Sequence, residues 1–433
     1  MDALIFLTDR YPFGKGEAFI ENEVPYLAQR FDKVVVVPTA LTVSTDISRE
    51  VPDNFVILPP ANTDDLYKDG RPGKKHRVLW SLRHMVPWCF AAVFSKDTFT
   101  EIIGLIKSRQ CSFSRCVSVI RTIAPVKRNR CHFRKYRNRT ELQNADNVYI
   151  YSYWLNQNVV YISKALGIQQ ESVKKTIARS HGYDLYSERR SCGYIPFQKN
   201  TIDFADDVCL ISKDGIRYLA EKYPAYSFKF RLNYLGTRDY GSGPYVPDNT
   251  FHIVSCSYVI PVKRVTRIID ALDKITERKI KWTHFGAGQD FERLQDYAKV
   301  LQKHDNIIYE LKGQVFNREL MNYYQQNSVD AFVNVSESEG LPVSIMEAIS
   351  FGIPVIATDV GGTTDAVLHG KNGWLLPIDF SDEEFASKIE SMMTLEPNAY
   401  LAMRQYSRTV WEERFCESRN YSQFIKDFFN GDE

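Results

Sequence analysis

The chain has 433 residues, of which 44% are hydrophobic and 25% charged, with a formal net charge of +2. That length suggests two domains, each able to bury a full core, and the balance excludes a disordered or fibrous chain. Without any run approaching about 18 consecutive apolar residues, the sequence carries no signal for a membrane-spanning helix. The first residues, MDALIFLTDRYPFG, lack the charged start, long apolar core and cleavage site of a secretory signal, so a cytoplasmic protein is expected. Eight cysteines are scattered without the paired spacing of a zinc or redox motif, and read as reduced thiols. The charge is unevenly spread. Between Arg71 and Arg139 seventeen Lys or Arg face only Asp97 and Glu101, a local charge of +15.

In chain order, apolar runs over 3–8, 34–37 and 55–58 read as buried strands, with a helical pattern over 17–31. The loop after the first run, YPFGKGEAFIENE, carries Gly14 and Gly16, which would let the backbone approach a phosphate or an acceptor; an ordinary turn explains a lone Gly-x-Gly equally well. The basic stretch 71–139 then reads as an insertion. Its charges interleave with aromatic residues that include Trp80, Trp88, Phe90, Phe94, Phe99, Phe113 and Phe133. Basic amphipathic faces of this kind suit peripheral binding at an anionic membrane, here the inner face of the plasma membrane. A solvated basic surface with aromatics packed inward is the plain alternative, and nucleic acid is not expected as a partner. Strands follow at 148–153, 176–180, 208–212 and 230–235, with helices over 157–166 and 215–223. SHGYD ends one of these strands and puts His181 at its tip, a place where a histidine is commonly structural.

At 236–250 the sequence GTRDYGSGPYVPDNT loses its hydrophobic pattern and marks a linker. The expected domains are therefore 1–236 and 250–433, with the last helices crossing back to the first. After the linker come strands at 251–257, 280–285, 307–311, 331–335, 355–358 and 374–376, separated by helices over 265–276, 291–303, 318–326 and 342–351. The predicted class is α/β, two doubly wound Rossmann-like domains facing across a cleft between the carboxyl ends of their sheets.

The most informative segment is SESEGLPVSIMEAISFGIPVIATDVGGTTD, from Ser336 to Asp365. A strand ends, a short loop follows, and Pro342 suits a first helical position, because its φ is preset and its missing N–H costs nothing there. Gly340, Leu341 and the first helical residues would then offer N–H groups at the positive end of a helix dipole, an anion site suited to a diphosphate. Glu339 and Glu347 flank that helix start eight residues apart. Two carboxylates beside a phosphate make chemical sense if they accept hydrogen bonds from sugar hydroxyls, Glu347 from a ribose and Glu339 from a transferred sugar.

The Glu-x7-Glu spacing inside EGLPVSIME, followed by FGIPVIATDVGGTTD and GKNGWLL, resembles glycosyltransferase family 4, of the retaining kind with the GT-B fold. Further pieces occur in the same order: SYVIPVKRVTRIIDAL, FGAGQD and LKGQVFNREL. The resemblance implies that Lys263 binds the donor diphosphate, that Gly286 and Gly288 allow close backbone approach, that Val315 lies against the base, and that His181 contacts the transferred sugar. Such families carry an arginine five residues before the lysine, where this chain has Tyr258; Arg264 is the candidate substitute. The implied reaction moves a sugar from a nucleoside-diphosphate sugar, most often a UDP-sugar, to a saccharide or lipid-linked acceptor, with no cofactor and no metal. A sugar-nucleotide epimerase of the same fold and a non-enzymatic membrane- or nucleic-acid-binding module remain alternatives. A dinucleotide oxidoreductase lacks the third glycine of its fingerprint after FGAGQD.

Overall fold

The computed structural model describes residues 1–14, 17–40, 49–61 and 85–430. Gly16, Trp80 and the first part of the basic stretch lie outside the described residues. Among those described, thirteen strands form two sheets whose pairs are all parallel. The first contains β1 (Asp2–Thr8), β2 (Lys33–Pro38), β3 (Phe55–Ile57), β4 (Asn147–Ser152), β5 (Val173–Ser180), β6 (Asp207–Leu210) and β7 (Phe230–Leu232), in the order β3-β2-β1-β4-β5-β6-β7. The second contains β8 (Thr250–Cys256), β9 (Lys279–Phe285), β10 (Ile307–Leu311), β11 (Ala331–Asn334), β12 (Val355–Thr358) and β13 (Gly373–Leu376), in the order β10-β9-β8-β11-β12-β13. Strands such as β1, buried continuously from Ala3 to Leu7, read in sequence as unbroken apolar runs because helices cover both faces of a parallel sheet.

Two compact units result. One comprises Met1–Ile211, Gly215–Asn233 and Tyr421–Glu433, the other Ser212–Asp214 and Tyr234–Asn420. Strand order reverses beside β1 in the first and beside β8 in the second, and loops leaving such switch points are where ligands of open parallel sheets bind. The last helix, Glu417–Phe429, ends in the core of the first unit, burying Tyr421, Phe424, Phe428 and Phe429. Arg30 fastens its end by donating to Phe429 O at 2.6 Å.

The Gly- and Pro-rich segment expected to be a linker runs inside the second unit. Trp411 donates to Thr237 Oγ1 at 2.7 Å, Gly243 N–H bonds Phe351 O, and Val246 N–H bonds Ser328 Oγ. Its composition signals the absence of regular structure, which an extended strap packed on a surface satisfies as well as a free tether. The described part of the basic stretch forms helices over 85–93, Lys96–Lys107 and Phe113–Phe133 around a small core with Ala92, Leu105, Val119 and Ile123.

Candidate active site

In the second unit, Lys263 and Glu339 sit on the loops that follow β8 and β11, the neighbouring strands at the order reversal. The two loops are tied by Glu337 N–H to Val262 O at 2.8 Å. Lys263 Nζ then meets Glu339 Oε1 at 2.6 Å, and Asn334 Nδ2 donates to the same oxygen at 3.1 Å. Glu339 is buried, which alone would raise its pKa; the Lys263 ammonium and the donors of Ser336 and Asn334 together outweigh burial and hold it below the usual value. It is an ionised carboxylate in a site with one ammonium beside it.

The helix Val343–Ser350 starts directly after this loop. Pro342 stands one position before it, as its cap rather than its first residue, and its carbonyl accepts from Ile345 and Met346. The N–H groups of Val343 and Ser344 therefore precede the helical ladder, at the positive end of the dipole. Leu341 is buried, and Gly340 O accepts from Gly362 N–H at 3.0 Å. Gly361 and Gly362, to which the sequence reading gave no role, support this loop from behind. A Cβ on Gly361 would lie 1.9 Å from Glu339 O, and one on Gly362 would lie 2.2 Å from Gly340 O. Only glycine lets the two backbones touch here, and Gly361 also has φ +51.

Glu347 lies on the second turn of the helix, half-buried, with Asn317 Nδ2 donating to its Oε1 at 2.6 Å. Desolvation pushes its carboxyl up to about 7, and this one hydrogen bond offsets only part of the shift. Asn317 opens the helix Asn317–Gln326, and half-exposed Val315 lies two residues before it in the loop after β10. Asn317 and Asn334 were not foreseen. Each is defined by a partner far along the chain or across a loop, and neither carries a pattern of its own.

Two expectations change in detail. Arg264 adopts φ +48 and turns its guanidinium to Val335 O at 2.8 Å and Ile378 O at 2.7 Å, over the Phe380 ring, while Lys263 turns to Glu339. The left-handed residue at the end of the turn swings the adjacent side chains apart, so Arg264 clamps the Lys263 turn onto the sheet. Tyr258, in the expected arginine position, is exposed. Gly286 and Gly288 do allow close backbone approach, but to the chain itself: added Cβ atoms would lie 1.9 Å from Ser257 O and 2.4 Å from Val259 O.

In the first unit, β5 ends at Ser180 and the next residue, His181, donates its N–H to Asp184 Oδ1 at 2.6 Å. The imidazole is buried against the rings of Trp154, Tyr153 and Phe19, at 4.5, 5.0 and 5.8 Å between centroids. Both ring nitrogens are without a hydrogen-bond partner among the described residues. Burial, with Arg179 nearby, holds the ring well below its ordinary pKa, so it is neutral. The loop bearing Gly14 is organised by buried Glu17, another residue without a sequence signal, whose carboxylate accepts from the N–H groups of Asp9, Arg10 and Tyr11 and from Trp154 Nε1. Gly14 has φ +65, and among the described residues nothing lies within 4 Å of where a Cβ would stand.

Residues 245–410 match the family model described as Glycosyl transferases group 1. A lipopolysaccharide 1,6-galactosyltransferase of Escherichia coli (strain K12) is 37% identical over 114 residues, 25% of this chain and 31% of the relative. The GtfA subunit of a UDP-N-acetylglucosamine–peptide N-acetylglucosaminyltransferase of Streptococcus gordonii is 24% identical over 62% of this chain and 56% of the relative. The matched stretches thus span about a third to about half of those relatives. Among solved structures, the apo form of the lipopolysaccharide outer core galactosyltransferase WaaB superposes with a TM-score of 0.64 at 15% identity, covering 99% of each chain. Anabaena HepE in complex with UDP gives 0.61 at 15% identity, again covering 99% of each. The fold is that of the GT-B glycosyltransferases, and residues 245–410, which hold Lys263, Glu339 and Glu347, form a glycosyl transferases group 1 domain.

Proposed function

We propose that the protein is a retaining, metal-independent glycosyltransferase of surface-glycan biosynthesis that moves a sugar from a nucleoside-diphosphate sugar to a saccharide or lipid-linked saccharide. The observation that carries this reading is the Lys263–Glu339 pair at 2.6 Å, set directly ahead of the helix Val343–Ser350 within the group 1 domain. Lys263 and the N–H groups of Val343 and Ser344 meet the departing diphosphate, whose negative charge grows in the transition state; preorganised donors of this kind are commonly the largest catalytic term. Glu339, released from Lys263 when the diphosphate takes up the ammonium, accepts from hydroxyls of the transferred sugar. Glu347 accepts from the ribose. Neutral His181, whose two nitrogens have no partner among the described residues, is suited to hydrogen-bond an uncharged sugar. Arg264 positions the Lys263 turn. The leaving phosphate takes the acceptor proton, and the Lys263 ammonium with the helix N–H groups does the work of a metal.

UDP is the favoured nucleotide, since the relatives and neighbours whose names mention a nucleotide mention UDP. The acceptor places the enzyme at the inner face of the plasma membrane. A thermal-shift screen of UDP-, GDP- and ADP-sugars tests the donor, because a ligand that binds only the native state raises Tm. Release of nucleoside diphosphate that depends on acceptor and persists in EDTA supports transfer; release without acceptor, or an absolute need for Mg²⁺, overturns it.

A further inference from the structure

On the described part of the basic stretch the first two helices turn apolar side chains outward. In the segment 85–93 and the residue after it, Val86, Phe90, Val93 and Phe94 are exposed, while Ala92 is buried and Met85 and Trp88 turn to the local core. In Lys96–Lys107 the exposed side chains are Phe99, Ile103 and Ile106, spaced by four and three residues, opposite buried Thr98 and Leu105. Phe113, 87% exposed, begins the next helix; Phe90 and Phe94 are 69% and 67% exposed with their rings 5.0 Å apart. A surface helix ordinarily turns polar residues outward, and a run of exposed phenyl and branched aliphatic groups marks a face that something covers.

Charge identifies the occupant. Residues 85–139 contain twelve Lys or Arg and two acids, and both acids are half-buried and paired: Asp97 lies 3.8 Å from Lys127, and Glu101 accepts from Phe197 N–H at 2.5 Å. Among the described residues of this stretch, the fully exposed charges around the apolar face are positive, among them Lys96, Lys107, Arg109 and Arg121. A second copy of this face would bring like charges together, because a two-fold contact pairs a patch with itself. Nucleic acid would leave the aliphatic side chains without a partner. No described helix is long and apolar enough to cross a membrane. We propose that these outer faces dock on an anionic lipid surface, with Phe90, Phe94, Phe99, Ile106 and Phe113 entering the headgroup boundary and the surrounding Lys and Arg meeting lipid phosphates.

This changes which residues do the docking. The basic run 127–135 within that stretch is largely committed inward: Lys127 pairs with Asp97, Arg128 is buried and donates to Ala40 O, and Arg130 lies over the Tyr161 ring. Arg134 and Lys135 alone of the run's clear cations are exposed.

The inference rests on the lipid-linked acceptor reading only for its purpose, since binding is measured without catalysis. In flotation, the full-length protein is expected to rise with phosphatidylcholine vesicles containing phosphatidylglycerol and not with phosphatidylcholine alone. The combined variant Phe90→Ser, Phe94→Ser, Phe99→Ser and Phe113→Ser should lose about tenfold or more in binding with its UDP-induced thermal shift retained. The variant Lys96→Ser, Lys107→Ser, Arg109→Ser and Arg121→Ser should lose both affinity and most salt sensitivity. A single Phe94→Trp reporter should blue-shift on anionic vesicles. Unimpaired flotation of the Phe variant, equal flotation with neutral vesicles, an unshifted reporter, or a dimer or nucleic-acid complex abolished by the same Phe substitutions would overturn the proposal. Absence of the UDP shift in the wild-type protein with vesicle binding intact would instead count against the donor site.

Discussion

Glu347 is a carboxyl that the folded protein prefers to keep protonated. Its folded pKa of about 7 lies above the ordinary 4.5, so between those pH values the native state holds a proton that the unfolded chain has released, and this group lowers stability as pH rises through the interval. Replacing Glu347 by Gln should therefore raise the Tm of the ligand-free protein at pH 8 while leaving it nearly unchanged at pH 5, and should cripple transfer. For the wild type, a ribose that donates to this carboxylate binds the ionised form, so nucleotide affinity should increase from pH 6 to pH 8; calorimetric affinities that stay flat across that range would refute the ribose contact. Lys263 acts through its charge. Lys263→Ala should reduce kcat by about a hundredfold or more through loss of diphosphate stabilisation. It also strands the buried Glu339 carboxylate, which should cost about 1–3 kcal/mol of stability in denaturant melts. Adding Glu339→Gln should recover that stability and none of the activity, which separates the two roles of one ion pair.

The loops hold these side chains through glycines that differ in what surrounds them. Gly361 and Gly370 both have positive φ, +51 and +77, but a Cβ on Gly361 meets Glu339 O at 1.9 Å whereas one on Gly370 meets open space. Gly370→Ala should cost about 1–2 kcal/mol from the left-handed backbone alone. Gly361→Ala should cost clearly more and reduce donor binding as well, because the Glu339 loop must shift; equal effects in chemical denaturation and nucleotide titration would remove that support role. The parallel strands were legible because burial on both faces writes them as apolar runs, and the Glu339 to Glu347 helix was legible from its proline and spacing. Asn317, Asn334, Glu17 and the glycine pair at 361–362 were not, since each is defined by a partner that the folded loops bring to it rather than by a pattern of its own. The direction of Arg264 was equally hidden, because it follows from one left-handed φ. In the basic stretch, sequence showed the charges but not the helical phase that turns Lys127 and Arg128 inward and the phenylalanines out.

At the scale of the molecule, the first unit is discontinuous in sequence. Phe424 is fully buried in it, 5.1 Å from the Tyr151 ring and with the Arg179 guanidinium 4.7 Å above its own ring. Phe424→Ala should cost about 3–5 kcal/mol, and a fragment ending at residue 236 should show exposed apolar surface by dye binding until a peptide of residues 417–430 is supplied. A fragment that melts cooperatively without the peptide would contradict this. The same closing helix sets an order of events during synthesis. On the ribosome the strands of the first unit emerge early but wait with an open seam while the whole second unit is made, and only then do residues 421–429 arrive to seal it. A chain cut short anywhere in the second unit thus displays its incompleteness at its other end, as an unsealed N-terminal core open to chaperones and proteases.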